Sequence, residues 1–95
     1  MLRGEVELRL GGRTCLLRPS FGRLVAAEGE VGSLFSLIER AAAGDVRMAD
    51  VACLLWHCAE TDLERGEFSD ALMAEGFSRV LPIFRLLLSR MFGGA

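Results

Sequence analysis

The chain has 95 residues and a formal net charge of −2 at pH 7, and 52% of its residues are hydrophobic. Its basic residues are all arginines scattered along the sequence, so it lacks the basic patch typical of nucleic-acid-binding proteins, and we expect no nucleic-acid partner. A mean hydropathy of +0.36 is high for a chain that can bury only a small core. It indicates either a bundle unusually dense in Leu and Phe or, the interpretation we favour, apolar surface that contacts a protein partner.

The first predicted element is a β-hairpin over residues 3–18, RGEVELRLGGRTCLLR. Its first strand alternates between charged residues and an apolar side formed by Val6, Leu8 and Leu10. The Gly-Gly pair that follows can adopt the positive φ angles of a two-residue turn. We expect the apolar side to pack on helices. A free strand edge could then pair with another subunit, which would give a homo-oligomer, or with a strand of a client protein.

Residues 20–92 are predicted to form a helical bundle. From caps and breakers, we expect helices at about 20–29, 48–60 and 77–92. A second helix is expected after the cap Ser33 and is ended by Gly44, and a short fourth helix precedes the separator Gly76. The segment TDLERG is interpreted as a charged connector, and the fourth helix is expected to begin near Ser69, with Asp70 in its first turn. The expected fold is a single domain over residues 1–95, α+β but mainly α, with an N-terminal β-hairpin followed by a compact bundle of four to five helices.

Apolar residues recur at helical spacing in the first three helices and are expected to face the core. They are Phe21, Leu24, Val25 and Ala27 in the first helix, Leu34, Leu37, Ile38 and Ala41 in the second, and Val51, Leu54, Leu55 and Cys58 in the third.

The three cysteines include no C-x-x-C motif, and the N-terminal residues lead into a charged strand rather than a secretory signal. Free thiols in a cytoplasmic protein are therefore expected.

The last predicted helix, residues 77–92, is apolar over most of its circumference. Pro82 lies inside it and removes a hydrogen bond to the carbonyl of Ser78, so a kink is expected. At about 16 residues it is shorter than the roughly 20 that cross a bilayer, and we expect no membrane partner. Two interpretations remain open, a buried core helix or a partner-binding surface. The candidate binding residues are Phe84, Leu87, Leu88, Met91 and Phe92.

Patterns for catalysis or metal binding are weak. Cys53 and His57 could supply two metal ligands from one helix face, but the sequence shows no second pair of ligands. His57 and Cys58 diverge by about 100° around a helix, which does not suit a Cys–His catalytic pair. The spacing of the acidic residues within 60–67 does not place a glycine and a bidentate glutamate where an EF-hand calcium loop requires them. We therefore expect no enzyme activity, no metal and no cofactor.

Three segments, taken in order, resemble a known family. They are RGEVELRLGGRTCLLRPSFGRLVAAEGE, GDVRMADVACLL and LLLSRMFGG, and together they span Arg3 to Gly94. They resemble the small gene-transfer-agent family related to phage tail assembly chaperones. The chain departs from the family pattern in its charged connector ETDLERGEF, which replaces a longer glycine-rich one, and at Trp56 and Pro82.

The resemblance implies a non-enzymatic role in building a tail-like particle. Proteins of this kind are thought to coat the hydrophobic helices of the tape measure protein until tube subunits polymerise around them. The implied partners are therefore the tape measure protein or other tail proteins. A small structural tail component and a protein-binding adaptor module are the alternatives.

Overall fold

The computed structural model describes residues 5–93, so residues 3 and 4 of the predicted hairpin and both ends of the predicted domain lie outside the described residues. The elements, in chain order, are β1 (Val6–Leu10), β2 (Arg13–Leu17), α1 (Phe21–Val31), α2 (Leu34–Ala42), α3 (Met48–Cys58), α4 (Arg65–Glu75) and α5 (Phe77–Gly93). This order confirms the predicted fold class, a β-hairpin followed by a helical bundle, and residues 5–93 contain five helices.

Strands β1 and β2 pair antiparallel, with Leu10 opposite Arg13 and Val6 opposite Leu17. Gly11 and Gly12 form the turn with φ angles of 59° and 81°, a region that side chains with a Cβ rarely adopt. The apolar side of β1 is buried as predicted, and its residues belong to the same core cluster as residues of all five helices. The hairpin is therefore stabilised by the helices that its apolar side covers.

The outer edge of β2 is closed by the segment that follows α3. Ala59 forms an antiparallel bridge with Leu17. The Arg18 N–H donates to the Cys58 carbonyl at 2.7 Å, and the Glu60 N–H donates to the Leu16 carbonyl at 2.8 Å. These bonds satisfy main-chain groups that would otherwise be left at a sheet edge.

Helix α3 lies at the centre of the core. Its predicted inward residues, Val51, Leu54, Leu55 and Cys58, are all buried. Phe68 and Leu72 of α4 and Val80, Phe84 and Leu87 of α5 complete the core, and each of these five is at most 1% exposed. The dense apolar surface of α5 is thus largely core, and the helix continues through Pro82.

Helix α4 begins earlier than predicted. Residues 61–66 are not all connector, because the helix starts at Arg65. Glu64 and Glu67 form a capping box, in which each side chain accepts a hydrogen bond from the other residue's main-chain N–H. The early start brings Phe68 into the core and places Asp70 in the middle of the helix rather than in its first turn.

Helix α1 does not bury all the residues predicted to face inward. Ala27 is buried and Leu24 is half-buried, but Phe21 is 84% exposed and Val25 is 48% exposed. The helix also runs through Gly29 and ends before Gly32, whose φ of 84° stops it. In α2, Ser33 caps the helix as predicted, with its side chain accepting from the Ser36 N–H at 3.3 Å.

Candidate protein-binding surface

An open groove lies between the C-terminal half of α2 and the last turns of α5. Its volume is about 780 Å³. The lining is mostly apolar or small: Ile38, Ala41, Ala42, Ala43, Gly44, Arg85, Leu88, Ser89 and Phe92. Arg85 is the only charged residue among them. A groove with this lining can accept the apolar side chains of a partner helix.

Two phenylalanines from different helices meet beside this groove. The rings of Phe35 in α2 and Phe92 in α5 pack edge to face, with centroids 4.8 Å apart. Phe35 is 68% exposed and Phe92 is 40% exposed, so both rings keep a large face toward solvent. Exposed aromatic side chains at the edge of a groove are typical anchors of protein–protein interfaces.

The five residues predicted to form a binding surface separate into two groups. Phe84, Leu87 and Leu88 are at most 5% exposed and belong to the core, so, contrary to the prediction, they present almost no accessible surface to a partner. Leu88 still lines the floor of the groove. Met91 is half-buried against the core, and Phe92 is exposed at the groove. Helix α5 therefore packs one side against the core and, at its C-terminal end, exposes apolar residues at the surface.

Sequence reasoning missed the contribution of α2. Leu34 and Leu37 are buried as expected, but Ile38 and Ala41, predicted to face the core, are only half-buried and line the groove. Phe35 lies next to the amphipathic stripe of α2 but outside it, and an apolar residue in that position is the sequence signal for this surface.

A second apolar surface lies on α1. Phe21 and Val25 are one helical turn apart, and Gly22, Ala26 and Gly29 are exposed on the same side of the helix. A Cβ added at Gly22 or Gly29 would meet nothing within 4 Å, so neither glycine is required by packing within residues 5–93. Glycine inside a helix costs about 1 kcal/mol relative to alanine.

A charged cluster joins α1, α3 and α4 around the carboxylate of Glu30. Arg65 donates from Nη2 to Oε1 at 2.6 Å and from Nη1 to Oε2 at 2.9 Å. His57 Nε2 lies 2.6 Å from Oε2. Arg65 also lies over the Trp56 ring, 5.3 Å from its centroid. The hydrogen bonds from Arg65 and then from His57 lower the pKa of Glu30 to about 2.

The same cluster brings together three side chains that can ligate metals. Donor atoms of Glu30, Cys53 and His57 lie within 4.8 Å of one another, and Glu30 is the third ligand that sequence spacing could not supply. The geometry nevertheless favours an ion-pair cluster over a metal site. Both oxygens of Glu30 already accept from Arg65, a cation that a metal would have to displace. Burial also raises the pKa of the Cys53 thiol, which disfavours the thiolate that a metal requires.

The cysteines are free and buried, as predicted. Burial raises the pKa of Cys58 to about 11, which is opposite to the lowered pKa of a nucleophilic cysteine.

Among the helices of the described chain, none combines the length and the hydropathy needed to cross a bilayer.

The fold and its surfaces define a small, mainly helical protein that presents apolar side chains suited to protein contacts. The chain belongs to the family described as "Phage tail tube protein, GTA-gp10", which it matches over residues 3–94. This match confirms the resemblance to gene-transfer-agent and phage tail proteins and supports a role in a tail. Comparisons with curated proteins and with solved structures gave no match.

Proposed function

We propose that this protein is a tail assembly chaperone that binds the tape measure protein while a phage-like or gene-transfer-agent tail is built. The observation that carries the proposal is the groove between α2 and α5, with the exposed rings of Phe35 and Phe92 beside it. A protein that keeps long apolar helices from aggregating needs accessible apolar surface on a stable scaffold. The buried cluster shared by the hairpin and the helices provides that scaffold.

The groove suits an amphipathic helix. Residues 41–44 have the sequence AAAG, and such small side chains allow another helix to approach closely. Phe35 and Phe92 offer aromatic anchors at one side. Arg85 is an exposed cation in the lining and favours a partner with an acidic residue next to its apolar face.

In this role the protein acts in the cytoplasm and is not an enzyme. Its partners are proteins, namely the tape measure protein or other tail proteins, and neither nucleic acid nor a membrane takes part. A stable core next to a solvent-exposed apolar groove is consistent with binding that is reversed when the tail tube forms around the tape measure helices.

A structural tail component is the second candidate function, and the family description as a tail tube protein favours it. In that case the groove between α2 and α5 would be covered permanently by a neighbouring tail subunit. The two functions differ in whether the protein remains in the finished particle. Mass spectrometry of purified particles distinguishes them, because a chaperone is absent or far below one copy per tail ring, whereas a structural component is present in stoichiometric amount.

Co-expression with the tape measure protein tests the chaperone proposal. We expect the wild-type chain to keep the tape measure protein soluble and to co-elute with it in size exclusion, and the double variant Phe35→Ser/Phe92→Ser to lose co-elution. Met73→Ser is the matched control, since Met73 of α4 is 60% exposed, between the values of the two rings, but does not line the groove. Failure of the wild type to solubilise the tape measure protein would refute the chaperone function, and loss of binding only in the control would refute the groove as its site.

A further inference from the structure

The main-chain groups of β1 leave an open edge. In a hairpin with a two-residue turn, the residues flanking the turn form a hydrogen-bonded pair, here Leu10 and Arg13. Pairing alternates along the strands, so Leu8 and Val6 are also hydrogen-bonded to β2, and the N–H and C=O of Glu7 and Arg9 point outward.

The outer edges of the two strands are covered differently. Residues 58–60 close the edge of β2, whereas on β1 the Glu5 carbonyl accepts from Arg90 at 3.2 Å. Within residues 5–93, no hydrogen bond reaches the outward main-chain groups of Glu7 or Arg9. A groove of about 360 Å³ runs beside them, bounded on its other side by Glu75, Arg79 and Ile83.

We propose that this edge binds the same edge of a second copy of the chain, giving a two-fold symmetric dimer with one antiparallel sheet of strand order β2-β1-β1-β2. The dyad passes next to Leu8. Glu7 then lies opposite Arg9 of the partner subunit, and Arg9 lies opposite Glu7 of the partner subunit. Each of these pairs exchanges both main-chain hydrogen bonds, which satisfies the outward N–H and C=O groups. Each copy's β1 occupies the space beside the other's open edge.

Charge complementarity selects a second copy as the occupant and selects its register. Glu7 and Arg9 are exposed on one face of β1, on either side of Leu8, and neither belongs to an ion pair among the described residues. Antiparallel pairing centred on Leu8 sets opposite charges against each other. The neighbouring registers with the same hydrogen-bonding pattern place Glu7 opposite itself or Arg9 opposite itself. Like charges directly opposite destabilise a strand pair, so both are disfavoured. The Glu7 register would also set Glu5 opposite Arg9 of the partner subunit, but the Glu5 carboxylate already binds Arg18 and its carbonyl already accepts from Arg90.

Charge reversal tests the dimer by sedimentation equilibrium. We expect the wild-type chain to dimerise, and Glu7→Arg or Arg9→Glu alone to weaken the dimer roughly tenfold or more, because each variant sets like charges against each other twice. The double variant Glu7→Arg/Arg9→Glu should restore dimerisation. Mixing the two single variants should give a heterodimer, since one then carries only cations at this edge and the other only anions.

The matched control is Glu39→Arg, which makes the same change in net charge at an exposed residue of α2, and it should dimerise like the wild type. Amide hydrogen exchange adds a readout at the edge itself. Protection of the Glu7 and Arg9 amides should rise with protein concentration, whereas that of Thr14, on the outer edge of β2, should not change. A wild-type chain that is monomeric at millimolar concentration overturns the proposal. A dimer that tolerates both single reversals, or that leaves the Glu7 and Arg9 amides unprotected, also overturns it.

Discussion

Helices α2 and α3 are both rich in apolar residues, but they meet solvent very differently. The apolar side chains that α3 directs inward are buried, and Leu54, Leu55 and Cys58 are fully so. Helix α2 buries Leu34 and Leu37 but exposes Phe35 next to a groove. Apolar content therefore does not indicate which helix is structural. The position of α2 at the periphery leaves an apolar side of it without a covering element in the described chain, and that side is the candidate binding surface.

The largest expected difference between the two regions is in stability. Phe68→Ala empties a site against α3 that is completely buried, and it should lower the free energy of unfolding by about 3–5 kcal/mol. Phe35→Ala removes an exposed ring and its contact with Phe92, and it should cost about 1 kcal/mol. Urea denaturation of both variants measures these costs. Equal costs would mean that α2 is as much a part of the core as α3.

Removing the ion pair that attaches α2 to α3 should have a smaller effect on the free energy of unfolding. Arg40 Nη1 donates to Asp50 Oδ2 at 3.0 Å, and the Asp50 side chain is only 13% exposed. Arg40→Ala should lower the free energy of unfolding by about 1–2 kcal/mol, since it leaves a partly buried carboxylate without its cation. Hydrogen exchange should accelerate in α2 more than in α3. Arg85→Ala, which removes an exposed arginine of α5, is the control and should change neither the free energy of unfolding nor hydrogen exchange in α2.

Replacing the glycines of α1 with alanine should stabilise the fold. Gly22→Ala and Gly29→Ala are each expected to raise the free energy of unfolding by about 0.5–1 kcal/mol, because the added methyl groups meet open space and alanine favours the helix. Thermal unfolding monitored by circular dichroism measures the change. If either variant weakens tape measure binding while it stabilises the fold, α1 is a second contact surface. If binding is unchanged, the glycines have no role at that interface.

The smallest expected effect concerns the pH dependence of the Glu30 cluster. Arg65 and His57 lower the pKa of Glu30 from 4.5 to about 2, so this carboxylate stabilises the fold above pH 4.5. The contribution is lost as the pH falls from 4.5 toward 2, because the unfolded state then binds a proton at this carboxylate that the native state does not. Glu30→Gln should flatten the stability profile in that range, as followed by urea denaturation at several pH values. Glu39→Gln, at an exposed carboxyl of α2, should keep the wild-type profile.

The hairpin and α3 could be predicted because their signals are local. Alternation along β1 assigns Val6, Leu8 and Leu10 to one side, and that side is buried. Helical spacing does the same for the inward residues of α3. The start of α4 was harder to predict, since its capping box uses glutamate at the N-cap, and the connector TDLERG reads as charged loop. Only the assembled core shows that the helix already includes Phe68, which is completely buried.

The surfaces were less predictable than the elements. Periodicity shows which residues share a face, but it does not show whether another element covers that face, and for this reason Phe21 and Val25 were wrongly assigned to the core. The candidate groove combines α2 with the end of α5, and Phe35 and Phe92 are far apart in sequence. Glu30 likewise joins His57 and Arg65 only because α1, α3 and α4 meet.

The sequence by itself therefore determined the β-hairpin, the helical class, the free cysteines and the tail-protein family, because these depend on local spacing, composition and the order of motifs. Tertiary structure alone decided which apolar residues remain at the surface and which edge of the hairpin is open. Both depend on which elements come to lie against one another. The segment at 58–60 closes β2, whereas nothing in residues 5–93 pairs with the outward groups of Glu7 and Arg9. Phe84 and Phe92 lie on one helix, yet packing buries the first and exposes the second.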